Sequence, residues 1–166
     1  MGANQRAQIT MSEAEIQDFL AETRILTLST LGKSGLSHLT AMWYGLVDGE
    51  IWLETKSKSQ KAVNLRRDPR VTVLVEAGHS YDQLRGVSIE GRAEVIEDPE
   101  ALFRVGVSVW ERYTAPYTEE ARPLVAAMLN KRVAIRIVPE RTRSWDHRKL
   151  GMPVMPPGGS TWPPRD

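Results

Sequence analysis

The clearest hydrophobic pattern in the chain runs from Leu84 to Glu97 (LRGVSIEGRAEVIE). Val87, Ile89, Gly91, Ala93 and Val95 fall on one side, and Ser88, Glu90, Arg92 and Glu94 on the other. A period of two predicts a strand with one buried face. Gly91 in its middle predicts a bulge or a bend of the kind barrels use. Five further runs rich in β-formers read as strands: Arg24–Thr30, Leu36–Val47 as one long strand, Glu50–Leu53, Val71–Val75, and Val133–Val138 with an extension toward Trp145. Gly32 to Gly35 and Asp48-Gly49 supply turn chemistry, so the first three strands are expected to form a meander of hairpins. Spacings of three and four predict helices elsewhere. One opens on Ser12 with Glu15 three residues later, a capping-box spacing, carries Ile16, Phe19 and Leu20, and ends near Glu22. A short basic helix continues through Ala62–Arg67 and stops before Pro69. Asp98-Pro99 starts another, with Leu102, Val105, Val109 and Trp110 on one stripe, and a last helix is expected over Thr118–Asn130.

These elements predict a mainly β domain over residues 11–150, an antiparallel barrel with an αα insertion before the last strand. Residues 1–10 are polar and expected to be flexible. The tail 151–166 holds five of the ten prolines and three glycines, so it is expected either to be disordered or to lie as an extended strap.

Composition narrows the function classes. A net charge of +1 gives no global field for nucleic acid, so anion binding must come from a local cluster. Cysteine is absent, which removes thiolate catalysis and Cys-based metal sites and fits a cytoplasmic protein. No apolar run approaches the ~20 residues of a membrane span, and the first residues lack a secretory core. No nucleophile elbow, Walker loop, dinucleotide fingerprint or HExxH motif occurs. His38, His79 and His147 are scattered, with no metal spacing, so any hard chemistry falls to a cofactor.

Two stretches carry candidate chemistry. Thr55, Lys56, Ser57, Lys58, Ser59 and Lys61 gather where a strand ends and a helix begins. A helix start exposes free N–H groups and partial positive charge, so lysines and hydroxyls placed there make a site for phosphate or another anion. Thr40-Ala41-Met42-Trp43-Tyr44 can line a planar ligand with one set of alternate residues while the other set packs the barrel. Arg143 to Leu150 adds Trp145 amid basic groups.

The pattern resembles the pyridoxamine 5′-phosphate oxidase-like split barrels of the flavin/deazaflavin oxidoreductase superfamily. The resemblance rests on Leu26–Thr30 before a glycine-containing hairpin, on Ala41-Met42-Trp43-Tyr44, on Leu53–Val71 (LETKSKSQKAVNLRRDPRV) and on Gly86–Ala93 (GVSIEGRA). It implies a six-stranded, FMN-binding type of split β-barrel that forms a homodimer, with cofactor sites at the interface built from both subunits. It implies that Thr55, Lys58, Ser59 and Lys61 hold the cofactor phosphate, that Thr40–Trp43 runs along the ring, and that Trp145–Lys149 comes from the partner. FMN and the deazaflavin F420 share this groove. Lys56, Lys58, Lys61, Arg66 and Arg67 suit the polyanionic tail of F420, and the chain resembles the F420-binding branch. The expectation is therefore hydride transfer between F420 and a small conjugated molecule, with an FMN-dependent oxidoreductase or a non-catalytic flavin- or haem-binding protein as alternatives. The tail does not match the family's signature for a pyridoxamine phosphate substrate. Tyr44, His38 and His147 are candidate proton donors, and no catalytic residue is assigned.

Overall fold

The computed structural model of the protein describes residues 5–156. Two helices open the chain, α1 (Gln5–Ile9) and α2 (Glu13–Glu22). α1 forms where the sequence predicts no element. Ser12 caps α2 through the Glu15 N–H while the Glu15 carboxylate accepts the Ser12 N–H at 2.6 Å, the reciprocal pair that the spacing predicts.

Seven strands follow: β1 (Leu26–Leu31), β2 (Ser37–Met42), β3 (Gly45–Val47), β4 (Glu50–Lys56), β5 (Arg70–Ala77), β6 (Arg85–Ile96) and β7 (Arg132–Asp146). α3 (Gln60–Arg67) lies between β4 and β5, and α4 (Pro99–Tyr113) and α5 (Arg122–Met128) between β6 and β7. The strand count exceeds the expected six because the predicted long strand breaks at Trp43-Tyr44 into β2 and β3. The helix expected over 118–130 is likewise shorter: a 3₁₀ turn at Glu119–Ala121 precedes α5, whose first turn admits Pro123.

All strand pairs are antiparallel, in the order β2-β1-β5-β6-β7-β4-β3. The expected meander is therefore corrected. The β1–β2 and β3–β4 hairpins form, but they sit at opposite ends of the sheet, and β4 joins the sheet through β7. The two edge strands, β2 and β3, are separated by only Trp43 and Tyr44. A two-residue link cannot span a flat seven-stranded sheet at ~4.8 Å per strand, so the sheet must curl until its edges meet. The result is a barrel split along one seam.

Tyr44 plugs that seam. It is fully buried, and its hydroxyl donates to the Leu20 carbonyl at 2.7 Å. The barrel interior is filled by Leu26, Leu28, Leu53, Val73, Val75, Val87, Ile135 and their neighbours. A second cluster, Val47, Val105, Val109 and Ala134, packs α4 against the outer face of β3, β4 and β7.

Asp48 and Gly49, at φ 53° and 79°, make the tight turn that their pairing predicts. The expected bulge falls between Glu90 and Gly91, where Gly91 pairs with Pro139. A Cβ at Gly91 would lie 2.1 Å from the Val138 carbonyl oxygen, so only glycine lets the backbones approach there.

Candidate functional site

α3 starts where β4 ends. Ser59 is its N-cap, with its hydroxyl accepting the Ala62 N–H at 3.4 Å, and it pairs with the Thr55 hydroxyl at 3.2 Å. Thr55 is buried on the inner face, whereas Lys56 and Lys58 are exposed. β7 adds a residue that no sequence signal marks: Arg132, opposite Lys56 in the β4–β7 register. Its guanidinium meets Glu54 at 2.5 Å, while its Nε is buried without a partner.

The charges here do not balance. Among the described residues Lys58 and Lys61 have no acidic partner. Burial, and then the nearby Arg132, hold the Lys61 ammonium below its ordinary pKa. Glu54 pairs with Arg132, and burial pushes its pKa up even against that arginine. Cations and hydroxyls at a helix start, short of negative charge and with an orphaned guanidinium nitrogen beside them, fit a phosphate group.

Other predicted cations are engaged elsewhere. Arg66 spans the Ser57 carbonyl, the Ser57 hydroxyl and Glu97, at 2.7, 3.1 and 2.7 Å. Arg67 donates to the Leu31 carbonyl, and Lys56 to the Asn130 carbonyl at 2.9 Å. α3 itself is pinned through Asn64, buried, whose amide donates to Thr30 at 3.0 Å and accepts from Gln60 at 2.8 Å.

The strip Thr40–Trp43 is divided. Thr40 and Met42 lie opposite Leu28 and Leu26, on the inner face, and the Thr40 hydroxyl is buried without a partner, as is His38 Nδ1. Ala41 faces outward. Trp43 lies beyond the strand end, 54% exposed, and stacks on Tyr113 of α4 with ring centroids 4.4 Å apart and planes 9° apart. The Tyr113 hydroxyl accepts the Tyr44 N–H at 3.0 Å and donates to the Arg24 carbonyl at 2.6 Å, so the indole rests on a locked ring. No sequence pattern marks Tyr113, because its partner is 70 positions earlier in the chain.

Trp145 and Lys149 lie elsewhere. Trp145 covers Gly86, its pairing partner, so closely that a Cβ there would fall 2.1 Å from the indole. Lys149 reaches Glu15 at 2.7 Å and the Thr10 carbonyl at 2.8 Å. Within one chain no hydrogen bond or ion pair among the described residues links either of them to the start of α3.

Of the three candidate proton donors, Tyr44 is spent inside the fold, and burial raises its pKa. His147 Nδ1 lies 2.8 Å from the Tyr81 carbonyl, which only accepts, so Nδ1 donates there, and Nε2 has no hydrogen bond among the described residues. Among the described residues no group of three or more metal-type ligands occurs, and no helix is long and apolar enough to cross a membrane.

The family model for pyridoxamine 5′-phosphate oxidase matches residues 12–146. Among solved structures, the conserved hypothetical protein Rv2991 from Mycobacterium tuberculosis is 69% identical, over 95% of this chain and 98% of that one, with a TM-score of 0.92. An F420 reductase is 26% identical, over 76% of this chain and 94% of its own, at a TM-score of 0.58. HutZ, the haem storage protein from Vibrio cholerae, shares the fold at 18% identity, covering 81% and 96%, at a TM-score of 0.63. None of the curated proteins compared matches the chain.

Proposed function

The chain belongs to the pyridoxamine 5′-phosphate oxidase family, and on that premise we propose that it is a cytoplasmic oxidoreductase that uses the deazaflavin F420 to reduce a small conjugated molecule. The observation that carries this reading is the acid-poor cluster of Lys58, Lys61, Arg132, Thr55 and Ser59 at the start of α3. Lys61 and Lys58 would bind the cofactor phosphate, and the two hydroxyls would orient it. Thr40 and His38, with unpartnered polar atoms beside β1, would face the ring edge. The bound cofactor supplies the hydride, and the protein's part is to hold ring and substrate together and exclude water. The F420 reductase among its structural relatives supports F420 over FMN.

The site is completed by a second copy of the chain. The outer face of β2, β1 and β5 presents Thr27, Ser29, Leu39 and Leu74, with Leu39 64% exposed and Leu36, in the turn before β2, 74% exposed. A homodimer built on this face would bring the partner's Trp145–Lys149 segment toward the cofactor.

Side-by-side fluorescence titrations with F420 and FMN test the reading. Tight F420 binding with weak FMN binding supports it, the reverse order moves the protein to FMN chemistry, and binding of neither removes the oxidoreductase. One observation favours a different class: the Nε2 of His147, without a hydrogen bond among the described residues, is the ligand that a haem carrier needs. A Soret band that His147→Ala abolishes would establish that alternative.

A further inference from the structure

A second concavity lies away from α3, at the mouth of the barrel under α2. Its volume is ≈ 380 Å³. The floor is made by Leu20, Ile51, Ile89 and Ile137, all at most 6% exposed and all part of the main core. Ile16 and Pro139 form walls, and Pro139 is the residue that pairs with Gly91 at the bulge. An apolar floor of this size with a few polar groups converging on the rim is the ordinary make-up of a small-molecule site.

The rim polar groups are unspent. Glu13, Gln17 and Thr142 have no side-chain hydrogen bond or ion pair among the described residues. Glu50, the other rim carboxylate, is held by Arg136 in a two-pronged pair at 2.7 Å. No lysine or arginine lines the cavity. In a chain of net charge +1, this rim carries one uncompensated negative charge and no positive one.

We infer that this cavity binds a compact apolar molecule with a protonated amine, the body on the isoleucine floor and the ammonium at Glu13. Thr142 and Gln17 supply the remaining acceptors. The site is separate from the phosphate cluster and opposite to it in charge preference: an anion loses here what it gains at Lys61. The inference is independent of which cofactor, if any, the α3 site takes.

Dansyl probes that differ only in charge test it on the full chain. Monodansylcadaverine should bind saturably, one per chain, with blue-shifted emission. Dansylglycine should bind about two- to fivefold more weakly, since a charge pair at an exposed carboxylate such as Glu13 is worth up to about 1 kcal/mol. Glu13→Gln should erase the preference without abolishing binding. Thr142→Trp, at an exposed rim position, should block both probes while leaving the thermal midpoint in place. Absence of saturable binding, equal affinity for the two probes, or full binding to the Thr142→Trp variant would each overturn the inference.

Discussion

The Ser108 hydroxyl on α4 serves both backbone groups of Leu46 in β3: it donates to the carbonyl and accepts the N–H, each at 2.9 Å. One side chain thus does for an edge strand what a neighbouring strand would do, and blunts an edge otherwise open to pairing with another chain. Ser108→Ala should cost about 1–3 kcal/mol, because two part-buried backbone groups lose their partner. Urea denaturation reads the loss. Amide exchange at Leu46 should quicken in the same variant, and an unchanged exchange rate would refute the edge-closing role.

Arg112 holds the end of α2 to the seam. Its guanidinium donates to the carbonyls of Tyr44, Leu20, Thr23 and Ala21, at 3.0, 3.2, 2.7 and 3.3 Å, and lies over the Tyr44 ring at 4.6 Å. Arg112→Met keeps the stem but removes the charged donor, leaving these carbonyls to weaker second partners such as the Tyr44 hydroxyl on Leu20 and the Arg24 guanidinium on Ala21. It should destabilise the protein by about 1–3 kcal/mol. Thermal unfolding reads this, and Arg112→Lys should recover only part, since an ammonium cannot span four acceptors.

Lys61→Ala should weaken F420 or FMN by about 1.5–3 kcal/mol, roughly tenfold to a hundredfold in Kd, through loss of a charge-assisted contact. Unchanged affinity in the fluorescence titration would remove the phosphate from this helix start.

Lys61 also gives the site a pH signature. Its pKa is lowered in the folded chain, chiefly by burial and then by Arg132. The unfolded chain therefore holds more protons through the window below the ordinary lysine value, so this group's contribution to stability increases as pH rises through that window. A bound anion acts the other way and restores the proton. NMR titration of the Lys61 side chain should give a midpoint below the ordinary lysine value, moving upward when inorganic phosphate is added. A midpoint indifferent to phosphate would argue against anion binding at this ammonium.

Gly91→Ala should cost more than 2 kcal/mol, because the added carbon meets a backbone oxygen rather than a yielding side chain. Loss of the β6–β7 amide protection around the bulge is the accompanying sign.

Local chemistry was legible in the chain, and long-range pairing was not. The capping box at Ser12, the Asp48-Gly49 turn and the start of α4 at Asp98-Pro99 form as their residues dictate, because each is decided within four or five positions, while Gly91 marks a bulge whose partner, Pro139, lies across the sheet. The break at Trp43-Tyr44 was hidden: both residues favour strands, and what breaks the strand is Tyr44 turning inward to reach Leu20. In the candidate site, the cluster from Thr55 to Lys61 was visible as a composition. Its electrostatic character was not, since Arg132 enters by register with Lys56 across 76 positions. Arg66 and Arg67 looked available in sequence and are consumed by Glu97 and Leu31.

The position of β7 between β6 and β4 has a consequence for how the molecule is made. The β3–β4 hairpin is complete by Lys56, yet its sheet partner begins at Arg132. Until that strand leaves the ribosome, the hairpin has only its own turn and then α4 to stabilise it, and an isolated hairpin is marginal in water. The last strand then joins the two halves of the sheet in one step, bringing distant parts of the chain together late. Folding should accordingly be slow for a chain of this size, and rate-limited by the arrival of its C-terminal strand.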